Sequence, residues 1–185
     1  MNITMNGRTP ESFGLKLLRE GTEFPFLPET RDYTEAIEYR AGIYDFGADL
    51  NAYAGQLAFA VLGKSEEEVR EKLRIFKGFL IRPDGRPREF ELIRTDEPNK
   101  RMLVRYSGSA PAESYVAYAK FTVPIVSALP FAYSPEHTIA ETVTDSSSTI
   151  HVQSAGTIQT PPVITLRNLG GPINGFRIIR EVEVD

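Results

Sequence analysis

His137 and His151 are the only histidines in the 185-residue chain, and it contains no cysteine. Metal or proton-transfer chemistry built on imidazole or thiolate would have to start from that pair. Both lie in segments that read as strands, with no third nitrogen or sulfur ligand in view, so they read as surface or hydrogen-bonded strand residues. Ser146, Asp145 and His151 contain the residue types of a nucleophilic triad, yet no nucleophile-elbow pattern frames the serine. Asp45 and Asp49 are a carboxylate pair of the kind glycoside hydrolysis uses, but Gly42 and Gly47 beside them favour turn-forming aspartates. Glu66, Glu67 and Glu68 read as a solvated helix start. Lys77, Arg82, Arg86 and Arg88 gather around Asp84-Gly85 and could touch phosphate. Asp84 and Glu89 dilute that charge, leaving a solvated hairpin or a contact between subunits. Gly170-Gly171-Pro172 lacks the following helix and lysine of a phosphate loop. The eight tyrosines are spread over strands and locate no sugar-stacking platform. No catalytic, metal or cofactor-binding residue is assigned, ligand-binding residues stay unknown, and neither an enzyme nor a cofactor is expected.

The element that organises the chain is the stretch from Ser65 to Arg82. Val69, Leu73, Phe76 and Leu80 recur at three- and four-residue spacing with Phe79 beside them, which predicts a helix over 65–81 with one apolar stripe. Ser65 and Glu68 form a capping-box pair, acids occupy the first turn, and Lys72, Arg74 and Lys77 lie toward the other end. Pro83 disfavours helix at Arg82. Nearly everything else reads as strand. Residues 3–5 end at Asn6-Gly7, and Phe13 to Leu18 follow as a second apolar stretch. The proline-flanked Phe24 to Pro28 segment is expected to be a loop packed on the core. Arg31 to Tyr39 reads as an extended segment or exposed arm, and Gly42 to Gly47 as a turn between strands. Residues 55–63 alternate with both faces able to bury, and 89–94, 101–107 and a long strand over 114–128 continue the pattern. Pro124 in that last strand favours an edge position or a bulge.

A boundary is expected near Leu129 to Pro135, beyond which charge thins: residues 134–185 hold three of the chain's 21 basic and six of its 25 acidic side chains. Four short strands are expected over 137–144, 148–154, 156–168 and 173–185. Such a set buries too little surface to stand alone. The domains are therefore 1–133, an N-terminal β domain with the helix, and 134–185, an incomplete outer β-sandwich or a strand extension completed by the first domain or a neighbour. Net charge is −4, and neither part carries the basic excess that stable nucleic-acid binding needs. No apolar run approaches the ~20 residues of a membrane span, the N-terminus lacks a signal-peptide core, and production in the cytoplasm is expected.

The order of these features resembles the distal tail proteins of long-tailed phages with non-contractile tails. It is carried by the short N-terminal strand, Ser12-Phe13-Gly14-Leu15, a proline-rich link to Asp32-Tyr33, Asp45-Phe46-Gly47, one helix ending in Phe76-Lys77-Gly78-Phe79-Leu80, and strands closing at Pro130-Phe131. Gly156-Thr157 with Pro161-Pro162-Val163-Ile164 is similar to the start of that family's galectin-like outer sandwich. The resemblance implies a mainly β fold: a β-sandwich-like N-terminal domain with one helix, followed by part of a second sandwich. It further implies a homo-hexameric ring at the virion tail tip, joining the tail tube protein to baseplate, fibre or receptor-binding proteins and letting DNA pass. The rival expectation is a carbohydrate-binding β-sandwich module.

Overall fold

The computed structural model describes residues 2–144, 149–152, 156, 158, 160–172 and 174–179. The chain divides into two compact units, Met1–His137 and Thr138–Asp185.

The helix α1 spans Glu66–Leu80. Ser65 caps it, its Oγ accepting from the Glu68 backbone N–H, while the Glu68 carboxylate accepts from Lys64 N–H, one residue earlier than a capping box would place it. Val69, Phe76, Phe79 and Leu80 are buried and Leu73 is half-buried against the core. The stripe read from the sequence is thus the face that packs.

Seven strands, β1 (Ile3–Met5), β2 (Leu15–Glu23), β5 (Tyr53–Leu62), β6 (Glu89–Arg94), β7 (Arg101–Tyr106), β8 (Ala112–Tyr115) and β9 (Tyr118–Ser127), make one antiparallel sheet in the order β1-β6-β7-β9-β5-β2, with β8 also on β9. The remaining pair, β3 (Thr30–Glu35) and β4 (Tyr44–Leu50), forms a separate two-stranded sheet. Only Arg105↔Val126 and Tyr106↔Ile125 join β7 to β9. The sheet therefore has two halves, whose apolar side chains meet in one core cluster, the sandwich-like, mainly β fold with one helix. α1 touches both: Phe76 packs on Phe59 of β5 and Phe121 of β9, and Phe79 packs on Phe90 of β6.

Several expectations are corrected. The long strand over 114–128 is a hairpin that reverses at Val116-Ala117, with Tyr115 facing Tyr118. Neither residue carries turn chemistry. Pairing of β9 with β5 along ten residues, plus Gly63 N–H on the Ala117 carbonyl, overrides local preference. Pro124 lies in a strand paired on both sides, not at an edge. Its carbonyl accepts from Ser107 N–H, and since both main-chain polar groups of an antiparallel residue point the same way, its missing donor falls in the gap between β7 and β8.

The turn expected at Gly42 to Gly47 lies earlier. Tyr39 and Gly42 supply the left-handed backbone, while Asp45, Phe46 and Gly47 already belong to β4, where Phe46 and Gly47 bulge opposite Tyr33. Phe24 packs against the core as expected, but Phe26 and Leu27 are 96% and 69% exposed.

In the second unit the described residues form no strand. Part of the four expected strands falls on residues 148, 153, 154, 157, 159, 173 and 180–185, outside the described residues. The described side chains there are exposed. The Gly170-Gly171 turn does form, held by Asn168 through Gly170 N–H and the Gly171 carbonyl.

Candidate assembly surface

The hairpin β3–β4 is the least satisfied part of the first unit. Every residue from 29 to 50 is exposed, although a two-stranded hairpin gains little stability by itself in water. Its apolar side chains include Tyr39, fully exposed at the reversal, and Phe46, Ile43, Leu50, Tyr44 and Tyr33 along the strands. Tyr44 and Phe46 stack with centroids 6.5 Å apart, and the Arg40 guanidinium lies 4.6 Å from the Tyr44 ring centre. Arg40 also donates to the Tyr44 hydroxyl. Among the described residues, no hydrogen bond or ion pair links residues 30–50 to another element.

The acids of this hairpin explain themselves structurally. Asp49 accepts from the Tyr33 hydroxyl at 2.9 Å and lies 3.7 Å from Arg31, and Asp45 Oδ1 accepts from Gly47 N–H, tying down the bulge. Both acids of the candidate carboxylate pair thus hold strand geometry. Glu29, Asp32, Glu35 and Glu38 have no cationic partner among the described residues, and Arg31 and Arg40 are the only bases between 29 and 50.

At the C-terminal end of α1, Arg74, Lys77, Gly78, Ile81, Arg82, Pro83 and Arg88 line an open groove of about 490 Å³. The Arg88 backbone N–H donates to the Leu80 carbonyl and Arg82 N–H to the Arg86 carbonyl, which folds the Asp84-Gly85 turn beside the helix end. Arg82 lies 3.7 Å from Asp84; Arg74, Lys77 and Arg88 have no acidic partner among the described residues. The structure brings Lys77, Arg82 and Arg88 together, as the sequence suggested, and leaves Arg86 out of the lining. It adds Arg74 and Gly78, which sequence reading missed; both lie on one helix face, Arg74 three residues before Lys77 and four before Gly78.

The remaining candidates do not converge. Glu66 pairs with Arg70 and Glu68 with Lys72, both at 2.6 Å. The Lys72 ammonium and the Lys64 N–H hold the Glu68 carboxyl below its ordinary range. The Arg94 guanidinium bonds Asp96 and keeps its carboxyl low in the same way. Burial raises the Tyr53 phenol, whose hydroxyl donates to the Pro25 carbonyl at 3.0 Å and so anchors the root of the hairpin. His137 and His151 are exposed and belong to different units, and Asp145 and Ser146 lie outside the described residues. No group of three or more metal-ligating side chains is found among the described residues, and no described helix is long and apolar enough to cross a membrane.

A family model described as the phage tail protein RIFT-related domain matches residues 10–127, which include the hairpin, α1 and the groove. Among solved structures, the chain is similar to SPP1 Dit (gp 19.1), described as a paradigm of the hub adsorption apparatus in phages that infect Gram-positive bacteria. The TM-score is 0.60 at 17% identity, over 72% of this chain and 52% of that one. The chain thus spans about half the length of that protein, and the likeness shows the fold. No match was found among curated proteins.

Proposed function

The chain belongs to the phage tail protein RIFT-related domain family, and from that premise we propose that it is a non-enzymatic building block of a long non-contractile phage or prophage tail. In this reading it forms a hexameric ring at the tail tip, joined to the tail tube protein on one side and to baseplate, fibre or receptor-binding proteins on the other. DNA passes through the lumen without being held, in keeping with the net charge of −4. The protein is made in the host cytoplasm and ends in the virion.

The observation that carries this reading is the hairpin within the family-matched region, exposed along its whole length and studded with aromatic rings. Such a surface is stable in water only at a cost and marks a site of contact. Residues 134–185 would form a strand extension or incomplete outer sandwich that another chain completes, an arrangement supported by the exposure of Val163, Leu169 and Phe176. An antibody against this protein, imaged on tails by negative-stain electron microscopy, tests the placement. Decoration confined to the distal tip is expected; decoration along the tube or on the capsid would overturn it.

A carbohydrate-binding module remains the alternative, because the exposed Tyr33, Tyr39 and Tyr44 rings are of a kind that stacks on sugars. Glycan-array binding lost on Tyr44→Ala would favour it.

A further inference from the structure

We propose that the acidic β3–β4 hairpin of one copy seats in the basic groove at the C-terminal end of α1 in the next copy. This rests on the ring-forming reading above and names the surfaces that would close the ring. Charge complementarity is the first argument. Hairpin residues 29–50 carry six acids against two bases, with Glu29, Asp32, Glu35 and Glu38 unpaired among the described residues. The groove gathers four cations, of which only Arg82 has a carboxylate nearby, at 3.7 Å. One cation at a helix C-terminus is accounted for by the helix dipole; four around one groove exceed that need.

Shape is the second argument. Gly78 lines the groove with nothing within 4 Å of where a Cβ would be. A glycine in the last turns of a helix costs stability relative to alanine, and here it leaves room for a backbone or a ring to approach. Ile81 and Pro83 supply apolar lining for the hairpin's aromatic side chains.

Placement is the third. The hairpin root is held at the Arg94 end of β6: Arg94 lies over the Phe24 ring, and Tyr53 bonds Pro25. The groove lies at the other end of β6, where Arg88 bonds Leu80. Donor and acceptor surfaces at opposite ends of one strand make a head-to-tail contact, the kind that closes into a ring when the rotation between copies allows it.

The test is association of the full chain, measured by sedimentation velocity, for four proteins: wild type, a groove reversal (Arg74→Glu with Lys77→Glu), a hairpin reversal (Asp32→Lys with Glu35→Lys), and both reversals in one chain. All four sites are exposed, and circular dichroism verifies that each variant is folded. Each reversal alone is expected to weaken association about tenfold or more, because like charges then face each other. The combined variant, with the wild-type net charge, is expected to regain it. A wild type that stays monomeric overturns the ring-forming reading and this contact with it. Assembly that persists through both reversals overturns this contact and leaves the ring standing. Loss with the groove reversal alone, unrescued by the hairpin, gives the groove a different surface of the neighbouring copy as its occupant and also overturns it.

Discussion

Phe76 of the helix stands edge-on to Phe59 of β5, ring centroids 5.2 Å apart and planes at 66°. The same ring also reaches Phe13 and Phe121. It is the point at which the helix fastens the sheet, and edge-to-face rings add ~0.5–1.5 kcal/mol to their burial. Phe76→Ala should therefore destabilise the first unit by about 3–5 kcal/mol, read as a lower urea midpoint. A loss under about 1 kcal/mol would mean that the helix is held by something else.

Gly78→Ala separates folding from assembly. With open space above it, the alanine should raise the stability of the isolated chain by about 0.5–1 kcal/mol and at the same time weaken self-association. Higher melting temperature with unchanged association would mean that nothing approaches Gly78.

Gly55→Ala should loosen the β2 edge. A Cβ there would stand 2.9 Å from the Glu23 carbonyl oxygen, a backbone atom that cannot swing aside, so the cost should be about 1–3 kcal/mol. Amide exchange should rise first along β2. Unchanged protection there would contradict the close approach.

Acid should weaken the fold through Glu68 and Asp96. Both carboxyls are held below their ordinary values, 4.5 and 3.8, first by the hydrogen bonds from Lys72 and Arg94. A depressed folded value means that the stabilisation is present above the unfolded pKa and is lost as pH falls through the folded one. Melting temperature should start to drop below about pH 4.5, and Glu68→Gln should flatten that acid limb. An identical pH profile for the variant would remove Glu68 from the account.

Much of this was legible in the residues. Helix α1 could be read because its apolar spacing, its Ser65 cap and its charge order all agree, and β5 because both of its alternating faces are apolar. The reversal at Val116-Ala117 was hidden: two residues without turn chemistry are bent by pairing with a strand more than fifty positions earlier. The position of Pro124 was hidden for the same reason, since a gap between two neighbouring strands is a property of the assembled sheet. Of the groove, Lys77, Arg82 and Arg88 stood out around the Asp84-Gly85 turn, while Arg74 looked like one more charge on a charged helix until the fold placed it beside them. The exposed arm at Arg31 to Tyr39 is visible as mixed polarity, but its partner strand reads as a turn, because Gly47 serves a bulge there.

The mass of the full chain in solution at high micromolar concentration tests the central claim most directly. Self-assembly through complementary surfaces predicts one discrete closed species at six times the mass of the chain, dissociating as salt rises because charge pairs help to hold it. A strictly monomeric chain at that concentration would contradict it.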